Sequence, residues 1–148
     1  MTDVMSLTVQ KFILAHPDKI FAAWITPAIM NQWFCPAGLT VVDSGADPRV
    51  GGSYHIVMKE GGATHTVRGT YRELVPGKKL VFTHRWDEPE AVETLVTVDF
   101  AARDGGTEIT LTQRGFRDKD SQRSHEQGWQ STLERLAKHA VRRRLILQ

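Results

Sequence analysis

The chain has 148 residues, 41% of them hydrophobic, and a net charge of +2. That length and composition fit one domain spanning 1–148 with a real core, and argue against disorder. So small a positive balance leaves no broad basic face for nucleic acid, no apolar run approaches the roughly 20 residues of a membrane span, and the single cysteine, Cys35, excludes an internal disulfide.

The elements follow in order. Val4–Ala15 reads as a first strand, with Leu7, Val9 and Phe12 set among polar residues. Pro17 opens a short helix with Asp18 near its positive end and Ile20, Phe21 and Trp24 as its apolar stripe. Pro27 opens a second through Phe34, with Ile29, Met30 and Trp33 inward, ending at the stretch CPAG. Strands are expected at Leu39–Ser44 and, after Gly51 and Gly52, at Ser53–Lys59. The stretch EGGA (Glu60–Ala63) is a hairpin turn leading into Thr64–Leu74, and PGKK (Pro76–Lys79) suits a type II turn before Leu80–Trp86. After a loop around DEPEA, Glu93–Ala102 and Thr107–Phe116 form a hairpin across RDGG. Asp120 or Ser121 could cap a helix running to about Leu147, where Arg142, Arg143 and Arg144 would oppose the dipole. Strands joined by short turns make an antiparallel sheet whose apolar face the helices must cover. Nothing in Met1–Gln10 reads as a secretory signal, and one thiol suits a reducing cytoplasm.

Strand parity gives an inner face. It holds Tyr54, Ile56 and Met58; His65, Val67, Gly69 and Tyr71; Leu80, Phe82, His84 and Trp86; Val96, Val98 and Phe100; and Ile109, Leu111 and Gln113. The opposite face carries His55, Arg68, Arg72, Arg85, Thr97, Asp99, Thr110 and Thr112. The inner polar groups need partners. They could satisfy one another inside a solid core or face a ligand cavity, and composition does not separate the two.

Motifs of catalysis are sparse. In SHEQGWQSTLERL (Ser124–Leu136), His125 and Glu126 begin a zinc-protease motif, but Trp129 stands where the second histidine belongs, so no metal site is expected. Cys35 follows a short helix, whose negative end would raise a thiol pKa. There is no G-x-S-x-G elbow, and no helix follows Gly51–Gly52 to make a phosphate loop. His65, His84 and His125 could meet at one cavity, which leaves acid–base chemistry open, although no inward carboxylate pairs with them. In a helix His125, Trp129 and Leu133 fall on one face, and Gly128 would let that helix approach the sheet closely. The tail RRRLILQ could meet a membrane surface or a partner chain, or simply end a helix.

The stretches FAAWITPAIMNQWFCPAG, RVGGSYHIVM, RGTYRELVPGKKLVFTHRW, GTEITLTQRGF and HEQGWQSTLERL, in this order, resemble the Hsp90-ATPase-activator-homologue-like domain of the START/Bet v 1-like (SRPBCC) superfamily. The resemblance spans about Ser6 to Ala140. It implies an α+β helix-grip fold, a seven-stranded antiparallel sheet around a long C-terminal helix, with two short helices after the first strand and a deep hydrophobic cavity between sheet and helix. Where the family often reads W-W-G-P, this chain has Trp33-Phe34-Cys35-Pro36, which places a cysteine at the expected cavity rim.

The expected cavity wall combines Trp33, Tyr54, Ile56, Met58, Val67, Tyr71, Phe82, His84, Trp86, Val98, Leu111, Gln113, Trp129 and Leu133, with His84, Gln113 and His125 orienting a polar ligand group. The leading expectation is a cytoplasmic binding protein for a small hydrophobic or aromatic molecule, with no cofactor. A cyclase- or hydrolase-type enzyme using His84 or His125, and a chaperone-associated or self-associating interaction module, are the alternatives; a homodimer is compatible with either. An Hsp90-type chaperone is not expected as a partner, because the co-chaperone that names the family has a further N-terminal domain.

Overall fold

Alternating apolar side chains commit seven segments of the chain to one sheet. The structure, a computed structural model, describes residues 5–146, and their side chains as far as residue 140. Its elements are β1 (Met5–Ile13), α1 (Pro17–Ile25), α2 (Pro27–Trp33), β2 (Thr40–Ala46), β3 (Ser53–Glu60), β4 (Ala63–Val75), β5 (Lys79–Trp86), β6 (Thr94–Arg103), β7 (Gly106–Phe116) and α3 (Lys119–Ile146). The seven strands lie in the order β1-β7-β6-β5-β4-β3-β2, antiparallel throughout. With α3 laid on its inner face and α1 and α2 closing one end, this is a helix-grip fold. Among the described residues no helix is long and apolar enough to cross a membrane.

Turn chemistry sets the register. Lys78 donates its amide to the Val75 carbonyl at 2.9 Å, and Gly77 has φ 73°, so PGKK closes as the expected type II turn. Between β6 and β7, Asp104 and Gly105 both take positive φ, the backbone of a type I′ hairpin. The strand boundaries differ modestly from expectation. β1 stops at Ile13, where the Ala15 amide turns back to the Ile13 carbonyl. β2 runs on to Ala46 because Gly45 and Ala46 pair with His55 and Tyr54. Val4, Leu147 and the side chains of Arg142, Arg143 and Arg144 lie outside the described residues.

α3 begins earlier than expected. Neither Asp120 nor Ser121 is its cap: the Asp118 carboxylate accepts the Ser121 amide at 2.8 Å, satisfying an amide that the helix leaves unpaired.

The inner face expected from parity is the buried one. Tyr54, Ile56, Met58, Val67, Tyr71, Leu80, Phe82, His84, Val96, Val98, Phe100, Ile109, Leu111 and Gln113 are all buried. Val81 and Thr83, on the other face of β5, are buried as well. Gly69 explains Thr83. A Cβ at Gly69 would collide with the Thr83 carbonyl and with the Tyr54 ring. Its absence lets the Tyr54 hydroxyl reach that carbonyl at 2.7 Å, while the Thr70 amide donates to the Thr83 hydroxyl at 2.8 Å. Under α3, Trp24 packs edge-on against Trp33 and Phe34 and stacks on Trp129, so α1, α2 and α3 share one aromatic cluster.

Candidate functional site

One end of the space between sheet and helix is filled and the other is open. Around the aromatic cluster the side chains interdigitate. Towards the ends of β5 and β3, where α3 enters the sheet, a recess of about 330 Å³ remains. Its walls are Met58 and Val67 from β3 and β4, His84 and Trp86 from β5, Ser124, His125, Gly128, Trp129 and Thr132 from α3, and Phe34, Cys35, Pro36 and Leu39 from the loop after α2. His65 and Glu88 stand at its polar margin.

Of the expected wall residues, Met58, Val67, His84, Trp86, His125 and Trp129 border this recess. The others do not. Trp33, Tyr54, Ile56, Tyr71, Phe82, Val98, Leu111, Gln113 and Leu133 are buried in the packed core. Parity identifies the inner face but not how far along each strand the helix and loop seal it. Trp33, for example, spends its indole N–H on the Ala23 carbonyl at 3.1 Å. On α3 the recess is bordered by Gly128 and Thr132 beside His125 and Trp129, with Leu133 turned into the core. Gly128 also departs from expectation: a Cβ there would meet no atom within 4 Å, so the missing side chain opens space rather than permitting close packing. The loop residues Phe34, Pro36 and Leu39, and Glu88, escape a strand-parity argument because they lie outside the strands. For Phe34, Pro36 and Leu39 the apolar character around CPAG is the available signal; Glu88, in the loop after β5, carries none.

Polar groups around the recess are tightly engaged. The Trp129 indole donates to Gln113 Oε1 at 2.7 Å, and Gln113 Nε2 donates to the Thr94 hydroxyl at 2.8 Å and lies 3.4 Å from His84 Nδ1. The Thr94 hydroxyl donates to the His84 carbonyl at 3.0 Å. The Trp86 indole donates to His125 Nε2 at 3.0 Å, and His125 Nδ1 meets the Ser121 carbonyl at 2.7 Å. A carbonyl only accepts and an indole only donates, so His125 is neutral with its proton on Nδ1. Burial, then the neighbouring His125 ring, pushes the His84 pKa down to about 3, and burial also lowers that of His125. Neither imidazole offers a free lone pair as general base.

The recess rim is held from α3. One nitrogen of Arg135, Nη1, donates to the carbonyls of Cys35, Pro36 and Leu39 at 3.0–3.2 Å and contacts the Cys35 sulfur at 2.9 Å. One turn earlier, the Ser131 hydroxyl accepts the Ala37 amide at 2.6 Å. Burial raises the Cys35 thiol pKa, outweighing the opposing pull of Arg135, so the cysteine stays a thiol packed against Leu39.

A second recess of about 320 Å³ lies behind the Trp86–His125 pair, bordered also by Phe116, Arg117 and the loop Glu88–Val92. His84, Trp86, Glu88 and His125 border both.

The family model for activator of Hsp90 ATPase homolog 1-like proteins matches residues 14–140. The chain belongs to this family. The human activator of 90 kDa heat shock protein ATPase homolog 1 is 28% identical over 125 residues, and its mouse counterpart over 126. Those matches cover 84% of this chain but 33% of the relatives, so the chain spans about a third of the curated proteins it matches. Among solved structures, a protein from Chromobacterium violaceum is 27% identical with a TM-score of 0.83, covering 91% of this chain and 96% of that one. The AHSA1 protein from Silicibacter pomeroyi is also 27% identical, with a TM-score of 0.79 and the same coverage. A Nitrosomonas europaea protein at 18% identity and a TM-score of 0.81, covering 95% and 97%, shares the fold. Family membership thus accounts for the sheet and the helix order.

Proposed function

We propose that the protein binds a small hydrophobic or aromatic molecule in the recess between sheet and α3. The observation that carries this reading is the recess itself: about 330 Å³, walled by Phe34, Met58, Val67, Trp86 and Trp129, with one buried imidazole at its inner end. Sites for small molecules are mostly apolar hollows with a few placed polar groups, and this volume suits a ligand of one or two rings. Met58, Val67, His84, Trp86, His125 and Trp129 are the contact residues, joined by Phe34 and Leu39. A reducing compartment such as the cytoplasm suits the single thiol at the rim.

The enzyme reading is weaker, since both ring nitrogens of His125 are engaged and His84 is held neutral. A chaperone role rests on the name of relatives of which the chain covers a third. Purified protein is expected to leave the ATPase rate of Hsp90 unchanged.

Binding is tested by thermal shift with one- and two-ring aromatic probes, on the natural chain and on Gly128→Leu. At a hundredfold excess over Kd, binding adds about 2.7 kcal/mol, a rise of several degrees in Tm. The leucine side chain would occupy the recess, so the variant should fold and show no shift. Equal shifts in both proteins, or none in the natural chain, would remove the basis of the proposal.

A further inference from the structure

Hydrogen bonding beneath the recess fixes where His84 carries its proton. The Trp129 indole can only donate, so the Gln113 oxygen must face it and the Gln113 amide nitrogen must face away. That nitrogen lies against Thr94 Oγ1 and His84 Nδ1. Thr94 gives its own proton to the His84 carbonyl, so its oxygen accepts from Gln113. Facing a donor at 3.4 Å, Nδ1 of His84 is assigned as the acceptor, which puts the hydrogen of the neutral ring on Nε2. Among the described residues no protein group bonds to that nitrogen. Yet His84 is only 6% exposed, and its ring borders both recesses. That nitrogen is not sealed in the core, since the sealed polar atom lacking a partner among the described residues is Trp24 Nε1; a ligand oxygen placed in the recess would give it an acceptor.

The surrounding charges decide which oxygen. A carboxylate would need a cation nearby, and among the described residues the one lysine or arginine bordering either recess is Arg117. His125 is neutral, with both nitrogens used. Arg135 directs Nη1 at the rim carbonyls. Arg117, in the second recess, donates to the Glu90 carbonyl and sits 3.4 Å from the Asp118 carboxylate. His65 lies between Glu60 and Glu88 at 3.5 and 3.7 Å. Glu88 borders both recesses and would repel an anion.

We propose that His84 is the specificity-determining donor of the site, and that the ligand is a neutral aromatic or alicyclic carbonyl compound whose oxygen accepts from His84 Nε2. This rests on the ligand-binding reading above and adds the chemical class.

The test uses one skeleton with four substituents: 2-acetylnaphthalene, 2-ethylnaphthalene, 2-naphthoate and 2-naphthylmethylammonium, titrated by calorimetry or NMR. The ketone should bind about tenfold more tightly than the hydrocarbon, the worth of one good hydrogen bond, and both charged probes more weakly than the ketone. In His84→Phe the ketone-to-hydrocarbon ratio should fall to about one. Long-range ¹H–¹⁵N spectra of the natural chain, which need no variant to fold, should show His84 protonated on Nε2 and that signal moving when the ketone is added. Naphthoate binding as well as the ketone, an unchanged ratio in the variant, or a proton on Nδ1 would each overturn the proposal while leaving hydrophobic binding standing. If no probe binds, the hydrocarbon included, the binding reading falls and this one with it.

Discussion

The indole N–H of Trp86 donates to Nε2 of His125 across 3.0 Å, joining the last residue of β5 to the second turn of α3. The bond stands between the two recesses and exists only while His125 is neutral, because protonation places a hydrogen on the accepting nitrogen.

Acid should therefore weaken the fold. The folded-state pKa values of His125 and His84 both lie below the ordinary 6.5, the latter at about 3. Between the unfolded and folded values the unfolded chain binds more protons, so this contribution is complete above about pH 6.5 and is lost as pH falls, the His84 part continuing towards pH 3. The lowered carboxylates Asp87 and Glu134 have the same sign but titrate lower, which leaves pH 6.5 to 4.5 to the histidines. Urea denaturation across that window should show falling stability and a shallower fall in His84→Phe. A flat profile in the natural chain would contradict the assignment.

Gly128→Ala is expected to stabilise the protein. Glycine costs about 1 kcal/mol against alanine inside a helix, and the added methyl would meet nothing within 4 Å. A rise in Tm of roughly 2–4 °C is the expected reading. A loss of stability would mean that the open space at Gly128 is not there in solution.

Gly69→Ala should do the reverse. Its methyl would strike the Thr83 carbonyl, which is backbone and cannot swing aside, and would separate Tyr54 from its acceptor. A loss of about 2 kcal/mol or more is expected in chemical denaturation. Tyr54→Phe, which removes only the hydroxyl, should cost nearer 1 kcal/mol.

Arg135→Lys should loosen the recess rim without unfolding α3. Lysine is a single compact charge and lacks the planar guanidinium whose Nη1 meets three carbonyls of the loop. Amide hydrogen exchange should quicken at Cys35 and at residues 37–39, Ala37 above all, and stay unchanged in β6 and β7. Unchanged exchange in the loop would show that Ser131 alone holds it.

The architecture was legible because its signals are local and periodic. Pro17 and Pro27, the turns at Gly77 and Gly105, and alternation along β3 to β7 each act within a few residues. The recess was legible only in part. His84, Trp86, His125 and Trp129 could be placed on an inner face, but whether an inner residue meets a hollow or another side chain depends on contacts far apart in sequence. Gln113 shows this. It lies on the inner face as parity predicts, yet its amide is consumed by Trp129 and Thr94, partners set by how α3 lies on β7 and how β7 pairs with β6. The rim is not legible in sequence, because Arg135 reaches across 100 residues to Cys35.

The two indoles that border the main recess also make the site observable. Trp86 and Trp129 each bond through N–H to an acceptor on another element, His125 and Gln113, whereas Trp24 and Trp33 border neither recess. Anything that enters must change the surroundings of the first pair far more than the second. Occupancy should thus be written into the protein's own ultraviolet emission, with no label attached, and substituting Trp86 and Trp129 one at a time would show from which side a guest arrives.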